Sequence, residues 1–315
     1  ALWHSLGHDA DWDQRIADAL NAVRAQSRNG TRAPNEIRDL RGVLDQMRLT
    51  KDAHEIDTMR QAADIASAGH VRAMRACRPG MAEYELEAEL AYEFRRRGAD
   101  GHAYTPIVAG GANACILHYV DNNKLLAGHS LVLIDAGCEV SGYASDITRT
   151  FPVGGRFSAV QREVYEIVLA AQQAAIAAVR PGAAFTDYHL AALRVLTQGL
   201  IDLKVLTGSV DGAIESEAYK PWYMHRTGHW LGLDVHDVGD YRTGATDDDW
   251  VRLTPGMALT VEPGLYFRPG EPVPRHLHGI AVRIEDDVFV NADGCTVYTS
   301  APRTIAEIEE VMRHD

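Results

Sequence analysis

Apolar residues recur at helical spacing along several stretches of the chain and cluster at strand-like density along others. Residues 11–28 put Trp12, Ile16, Leu20 and Val23 on one helical stripe, and Asn29-Gly30 ends the pattern. Residues 51–76 read as a longer amphipathic helix with Ile56, Met59, Ala63, Ala66 and Met74 on one side. Arg78-Pro79-Gly80 stops it, because proline has no N–H to continue a helical ladder. A Glu-rich stretch over 83–97, closed by Gly98, and a stretch over 186–203 predict two further helices. Dense β-branched and aliphatic runs, Leu131 to Asp135 and Leu259 to Glu262, predict buried strands that each end in an acid.

These elements come in a repeated order. Arg78-Pro79-Gly80 precedes a helix, a polar His-bearing segment and a strand ending Asp135-Ala136-Gly137. Arg180-Pro181-Gly182 precedes a helix, a polar His-bearing segment and a strand ending Glu262-Pro263-Gly264. A further strand with a second acid follows each, Asp146 within 144–148 and Glu285 within 280–287. The halves therefore read as related copies with a pseudo-twofold core. Helices followed by strands, with short turns such as 139–143, predict an α+β body whose strands pair mostly antiparallel.

Composition narrows the class. The 315 residues are 46% hydrophobic and 24% charged, ordinary for a soluble globular chain, and core size is not limiting. The longest apolar runs, Leu131–Ile134 and Ala174–Val179, fall far short of the ~20 residues a membrane span needs, so no membrane partner is expected. Asp9, Asp11, Asp13 and Asp18 near the start are unlike a secretory signal. Cys77, Cys115, Cys138 and Cys295 form no C-x-x-C, which suits reduced thiols and a cytoplasmic location. A net charge of −13 argues against nucleic acid as a partner.

Four acids at strand ends need compensation, since a buried unpaired carboxylate is costly. Asp135, Asp146, Glu262 and Glu285 carry four negative charges, which two divalent cations would neutralise. The segment from His225 to His236 offers an imidazole. An oxygen-rich set with one nitrogen suits manganese, cobalt or an iron-like ion, with zinc as a further candidate. Two such ions could share bridging carboxylates and hold a hydroxide for hydrolysis. Singly, each acid is better explained as a solvated turn residue and each histidine as a structural one. It is their conjunction in repeat-related places that points to a site.

The run His225 to Asp237, with Leu133 to Gly137, Ser145 to Phe151, Thr260 to Tyr266 and Arg283 to Asp287, resembles the proline-specific aminopeptidase P (Xaa-Pro aminopeptidase) branch of the pita-bread metallopeptidases. The similarity covers about residues 45–312, with all five segments in the family's order. It implies a pita-bread fold, with pseudo-twofold halves and a mostly antiparallel curved sheet flanked by helices. Residues 46–315 would be the catalytic domain and residues 1–45 a remnant of an amino-terminal domain.

The resemblance makes Asp135 a ligand of one ion, His229 and Glu262 ligands of the other, and Asp146 and Glu285 the bridges between them. The pairing agrees with the repeat. Manganese is the expected metal, with cobalt or zinc as alternatives, and a metal-bridging hydroxide would attack the carbonyl before proline. Glu262 would also move a proton, His118 and His236 would hydrogen-bond the substrate and the tetrahedral intermediate, and His225 would face the proline. Arg283, two residues before Glu285 on one strand, should point to the same face and brace the carboxylates, and Thr148 should do likewise beside Asp146. Tyr266 and Trp230 are candidate walls for the proline ring, and equally candidate core residues.

The implied partners are peptides with proline at the second position and a second copy of the chain as a homodimer. Two alternatives stand beside the aminopeptidase: a prolidase, which uses the same metal centre on dipeptides, and a binding paralogue without catalysis. The wording from His229 to His236 favours the first, and the filled ligand positions disfavour the last.

Overall fold

The computed structural model describes residues 1–244, 246 and 249–313. The chain divides into two compact units, Ala1–Arg48 and Leu49–Asp315. In the first, strand β1 (Leu2–Trp3) pairs parallel with β2 (Ile37–Arg38). Helix α1 (Ala10–Ala25) starts at Asp9, whose carboxylate accepts the N–H groups of Asp11 and Trp12, and helix α2 (Arg41–Leu49) ends the unit. The spacing correctly marks α1 as a helix, but of its apolar stripe only Leu20 is buried while Trp12 is 55% exposed.

The second unit opens with α3 (Ala53–Ala76), which begins at a reciprocal cap between Asp52 and Glu55. The stripe of Ile56, Met59, Ala63, Ala66 and Met74 is buried, as the periodicity requires. Helix α4 (Glu83–Arg96) packs against α3 so closely that a Cβ at Gly69 would lie 2.4 Å from the Phe94 ring. Strands β3 (Gly101–His102), β4 (Ile107–Gly110), β5 (Leu131–Asp135), β6 (Cys138–Val140), β7 (Tyr143–Ala144) and β8 (Thr148–Pro152) complete the first half.

The second half repeats the plan. Helices α5 (Ala159–Ala178) and α6 (Asp187–Asp202) pack on each other and flank the turn at Pro181-Gly182, and the short α7 (Val210–Glu215) follows. Strands β9 (Ala258–Val261), β10 (Gly264–Phe267), β11 (Ile280–Arg283), β12 (Asp286–Val290) and β13 (Cys295–Val297) precede α8 (Ile305–Val311). Strand β5 runs antiparallel to β8 with the hairpin β6–β7 inserted between them, and β9 runs antiparallel to β12 with the hairpin β10–β11 inserted between them. Among the described residues of this unit every strand pair is antiparallel, so the α+β class and the two-halved plan hold.

One expectation fails in an informative way. Asp146 and Glu285 do not sit within continuous strands: β7 ends at Ala144 and β8 starts at Thr148, while β11 ends at Arg283 and β12 starts at Asp286. At both breaks the backbone reaches across to the other half. The Asp146 N–H donates to the Asp287 carboxylate at 3.1 Å, and the Glu285 N–H donates to the Thr148 carbonyl at 3.0 Å. The two-residue alternation from Arg283 to Glu285 therefore does not apply. No helix among the described residues is long and apolar enough to cross a membrane.

Candidate metal centre

The sheet breaks create the site. Asp135 closes β5, Glu262 follows β9, and Asp146 and Glu285 occupy the two interruptions. The segment 227–230 runs beside β9, with the Thr260 N–H donating to the His229 carbonyl at 3.0 Å and the Glu262 N–H to the Thr227 carbonyl at 2.7 Å. That pairing brings His229 next to Glu262. It leaves no room for a side chain at position 228: a Cβ on Gly228 would lie 2.0 Å from the Thr260 oxygen, as one on Gly137 would lie 1.7 Å from the Ser145 oxygen.

One cavity of about 820 Å³ is lined by the nine proposed ligand, histidine and arginine positions, Asp135, Asp146, His229, Glu262, Glu285, His118, His225, His236 and Arg283, but not by Thr148, Tyr266 or Trp230. One donor atom each from Asp146, His229 and Glu285 lie within 4.8 Å of one another. His229 donates its Nδ1 proton to the Trp230 carbonyl at 2.9 Å, which turns Nε2 toward Asp146 at 3.3 Å and Glu262 at 3.8 Å. The His236 ring stands edge-on to His229 with centroids 4.3 Å apart.

A chain of hydrogen bonds fixes the carboxylates from behind. Arg283 donates to Asp135 at 2.6 Å, to Thr148 at 3.2 Å and to the Tyr266 oxygen at 3.0 Å. The Thr148 hydroxyl donates to Glu285 at 2.6 Å, so it braces the acid of the other half and not its neighbour Asp146. His225 donates from Nδ1 to the Arg226 carbonyl at 2.7 Å, so its Nε2 accepts from the Tyr266 hydroxyl at 2.8 Å. Both of its nitrogens are thus engaged.

Charge crowding shows in the protonation preferences. Burial, reinforced by Asp146, Glu262 and Asp135, pushes Glu285 well above the carboxylate range. Burial raises Glu262 to about 7 despite the opposing pull of His229 and Arg283, and raises Asp135 despite Arg283. Burial resists charge on His229, yet Asp146 and Glu262 outweigh it and lift the imidazole to about 9. Burial and Arg283 lower His225 to about 3, and burial and His229 lower His236. Four carboxylates thus crowd around Arg283 and His229, and burial pushes three of them toward the neutral form. A hard or borderline divalent cation among carboxylates and one aimed imidazole nitrogen fits this donor set.

Other residues of the site gave no signal in the sequence. The Tyr104 hydroxyl lies 2.7 Å from Asp135 and 2.5 Å from Asp146, and its one proton can serve only one of them at a time. Of the two readings open for Trp230 and Tyr266, core and not wall is the one they take. Trp230 is core, stacked on Tyr241 with centroids 5.8 Å apart, and Tyr266 is fully buried; neither lines the cavity. Phe185, Tyr188, Tyr241 and Trp250 do, and Arg226 and Arg242 lie over the Trp250 ring at 5.2 and 4.4 Å.

Residues 57–292 match metallopeptidase family M24. The chain is 50% identical over 279 residues to an Xaa-Pro aminopeptidase of Haemophilus influenzae, covering 88% of this chain and 64% of that protein. It is 45% identical over 312 residues to an Xaa-Pro aminopeptidase of Escherichia coli, covering 99% of this chain and 70% of that one. It thus spans just under two thirds of the first relative's length. Among solved structures, aminopeptidase PepP of Pseudomonas aeruginosa superposes with a TM-score of 0.96 at 52% identity, over 98% of this chain and 70% of that one. A zinc-substituted aminopeptidase P of Escherichia coli in complex with product superposes with a TM-score of 0.94 at 45% identity, over the same shares. The chain therefore has the pita-bread fold and belongs to metallopeptidase family M24.

Proposed function

We propose that the chain is the catalytic part of an Xaa-Pro aminopeptidase that hydrolyses the bond before a proline in second position. The observation that carries this is the convergence of Asp135, Asp146, His229, Glu262 and Glu285, from both halves, on one cavity. Two divalent ions, manganese first and cobalt or zinc next, are the proposed cofactors, with Asp146 and Glu285 shared between them. When bound, such ions lower the pKa of water and polarise a carbonyl oxygen.

The chain's own residues do the rest. Glu262 takes a proton from the attacking water and returns it to the prolyl nitrogen as the new C–O bond forms and the C–N bond breaks. His118 and His236 hydrogen-bond the substrate and the tetrahedral intermediate. His225 cannot hydrogen-bond the substrate while both nitrogens are engaged, so it offers its apolar ring to the proline. Arg283 keeps Asp135 and Tyr266 in place. The proposal further takes residues 1–45 as the remnant of an amino-terminal domain, the compartment as cytoplasmic and the assembly as a homodimer.

The deciding experiment compares an Xaa-Pro dipeptide with a longer Xaa-Pro peptide, before and after chelation and with manganese, cobalt or zinc restored. Cleavage of the longer peptide, lost on chelation and recovered with metal, is expected. Activity confined to dipeptides would instead make the chain a prolidase. A protein that binds none of these ions and cleaves neither peptide would be a binding paralogue. Asp146→Ala should lower metal content at both positions, as measured by elemental analysis; equal content in mutant and parent would rule out a bridge at Asp146.

A further inference from the structure

Helix α4 presents a buried carboxylate for which the reaction has no use. Glu83, its first residue, is fully buried, and among the described residues no cationic side chain pairs with it. Its oxygens are instead saturated by four donors. Oε1 accepts from the Gly110 N–H at 2.8 Å and the Asn113 side-chain amide at 2.9 Å. Oε2 accepts from the Tyr119 hydroxyl at 2.7 Å and the Lys124 N–H at 3.0 Å. A position in the first helical turn adds a favourable field for the negative charge.

All four donors belong to one segment, residues 110–124, and that segment carries Leu117 and His118 into the cavity wall. Outside the short turn at Leu117-His118, its stretch from 117 to 123 is held by side chains. Glu83 binds Tyr119, the neighbour of His118, and one helical turn later Glu87 accepts from Asn122 at 2.8 Å. Asn122 in turn accepts the Val108 N–H at 2.9 Å, tying the segment to β4. His118, Ile116 and Val120 are themselves exposed, so no packing of their own side chains fixes the imidazole.

We propose that Glu83 is a positioning residue for His118, acting through Tyr119 and the main chain at Gly110 and Lys124 to set where the imidazole meets the substrate. The proposal rests on His118 contacting substrate in the Xaa-Pro reaction. A glutamine cannot replace the carboxylate. Its amide nitrogen faces either the Gly110 N–H or the Lys124 N–H, and in both orientations one buried main-chain donor loses its acceptor. The segment should then shift by a fraction of an ångström to an ångström.

The test is a double-mutant cycle on the metal-loaded protein. Glu83→Gln should lower kcat/KM for a longer Xaa-Pro peptide by about 10²-fold, the order expected for a small misplacement of a catalytic contact. In a His118→Ala background the same change should cost less than ~3-fold, because residues that act as a unit are not additive. Hydrogen exchange supplies a readout free of turnover: the Ile116 and Lys124 amides, bonded to the Asn113 carbonyl and to Glu83, should lose protection in Glu83→Gln while those of residues 131–135 keep theirs. An equal loss of activity in both backgrounds, or unchanged exchange at Ile116 and Lys124, overturns the proposal. If the parent cleaves no Xaa-Pro peptide at all, the proposed function fails on its own account, and the exchange result still decides whether Glu83 fixes the segment.

Discussion

Glu262→Ala should reduce kcat on an Xaa-Pro peptide by about 10³-fold or more, since a positioned acid–base group alone contributes on the order of 10²–10⁴-fold and a proposed metal ligand is lost with it. The fold should survive, because what Glu262 gives the backbone is its N–H bond to the Thr227 carbonyl, and alanine keeps that bond. Removing one carboxylate also relieves the crowding with Asp135, Asp146 and Glu285, so the metal-free mutant should melt no lower than the metal-free parent. Glu262→Gln separates the two roles. It keeps an oxygen donor but cannot accept a proton, so it should hold more metal than the alanine variant while remaining nearly inactive. Turnover within about tenfold of the parent in either variant, at matched metal content, would remove Glu262 from the chemistry.

The deep origin of the site is a conflict between sheet regularity and charge. A carboxylate inside a regular strand points alternately into a core or into water, and neither would collect four of them. The breaks at Asp146 and Glu285 free these side chains from the ladder, and the backbone groups released there bond across to the opposite half. The two halves are thus joined by hydrogen bonds from main-chain N–H groups, one to a side-chain carboxylate and one to a carbonyl, at the places where their acids meet. Asp146 cannot be moved without disturbing Asp287, nor Glu285 without disturbing Thr148. The placement of these acids and the geometry between the halves are set together.

Much of this was readable in advance from local pattern. The stripe of α3, the stops at the two Arg-Pro-Gly turns and the strands leading to Asp135 and Glu262 follow from periodicity and from the chemistry of proline and glycine. The recurrence of acids in matching places then pointed to one pocket. What stayed hidden depends on contacts between residues far apart in the chain. Tyr104 sits in an unremarkable loop and meets Asp135 and Asp146 only in the folded state. Trp230 reads as a candidate wall because it adjoins His229, yet alternation along 227–230 turns it into the core against Tyr241 and Phe185. The break at Glu285 carries no glycine or proline to mark it: Arg283-Ile284-Glu285-Asp286-Asp287 runs between the apolar stretches 280–282 and 288–290 with neither residue.

Arg149 is the largest case of this kind, and its replacement carries the largest expected cost in stability. It lies between two threonines in β8 and reads as an ordinary strand residue, but its side chain is fully buried. Nη2 donates to Asp286 at 2.6 Å and to the Ala301 carbonyl at 2.8 Å. Nη1 donates to the carbonyls of Thr148 at 2.9 Å and Glu285 at 2.5 Å, and Nε donates to the Pro302 carbonyl at 2.9 Å. One guanidinium thus ties β8 to the second sheet break and to the segment before α8. Arg149→Met should destabilise the protein by about 3–5 kcal/mol, the usual cost of stripping one partner from a buried ion pair. At roughly 2–4 °C per kcal/mol for a unit of this size, the melting temperature should fall by about 10 °C. Asp286 would keep Arg303 at 3.1 Å, Gln172 at 2.9 Å and Thr299 at 2.6 Å, which places the loss mainly at the orphaned carbonyls. Arg149→Met combined with Asp286→Leu should then recover no stability, because Gln172 and Thr299 lose their acceptor as well while the Glu285 and Ala301 carbonyls still lack a donor. Thermal unfolding of the single and double variants checks this. A drop below about 2 °C in the single variant, with the energy scale above, would mean that solvent or a neighbouring side chain takes over these bonds and that Arg149 does not hold the halves together.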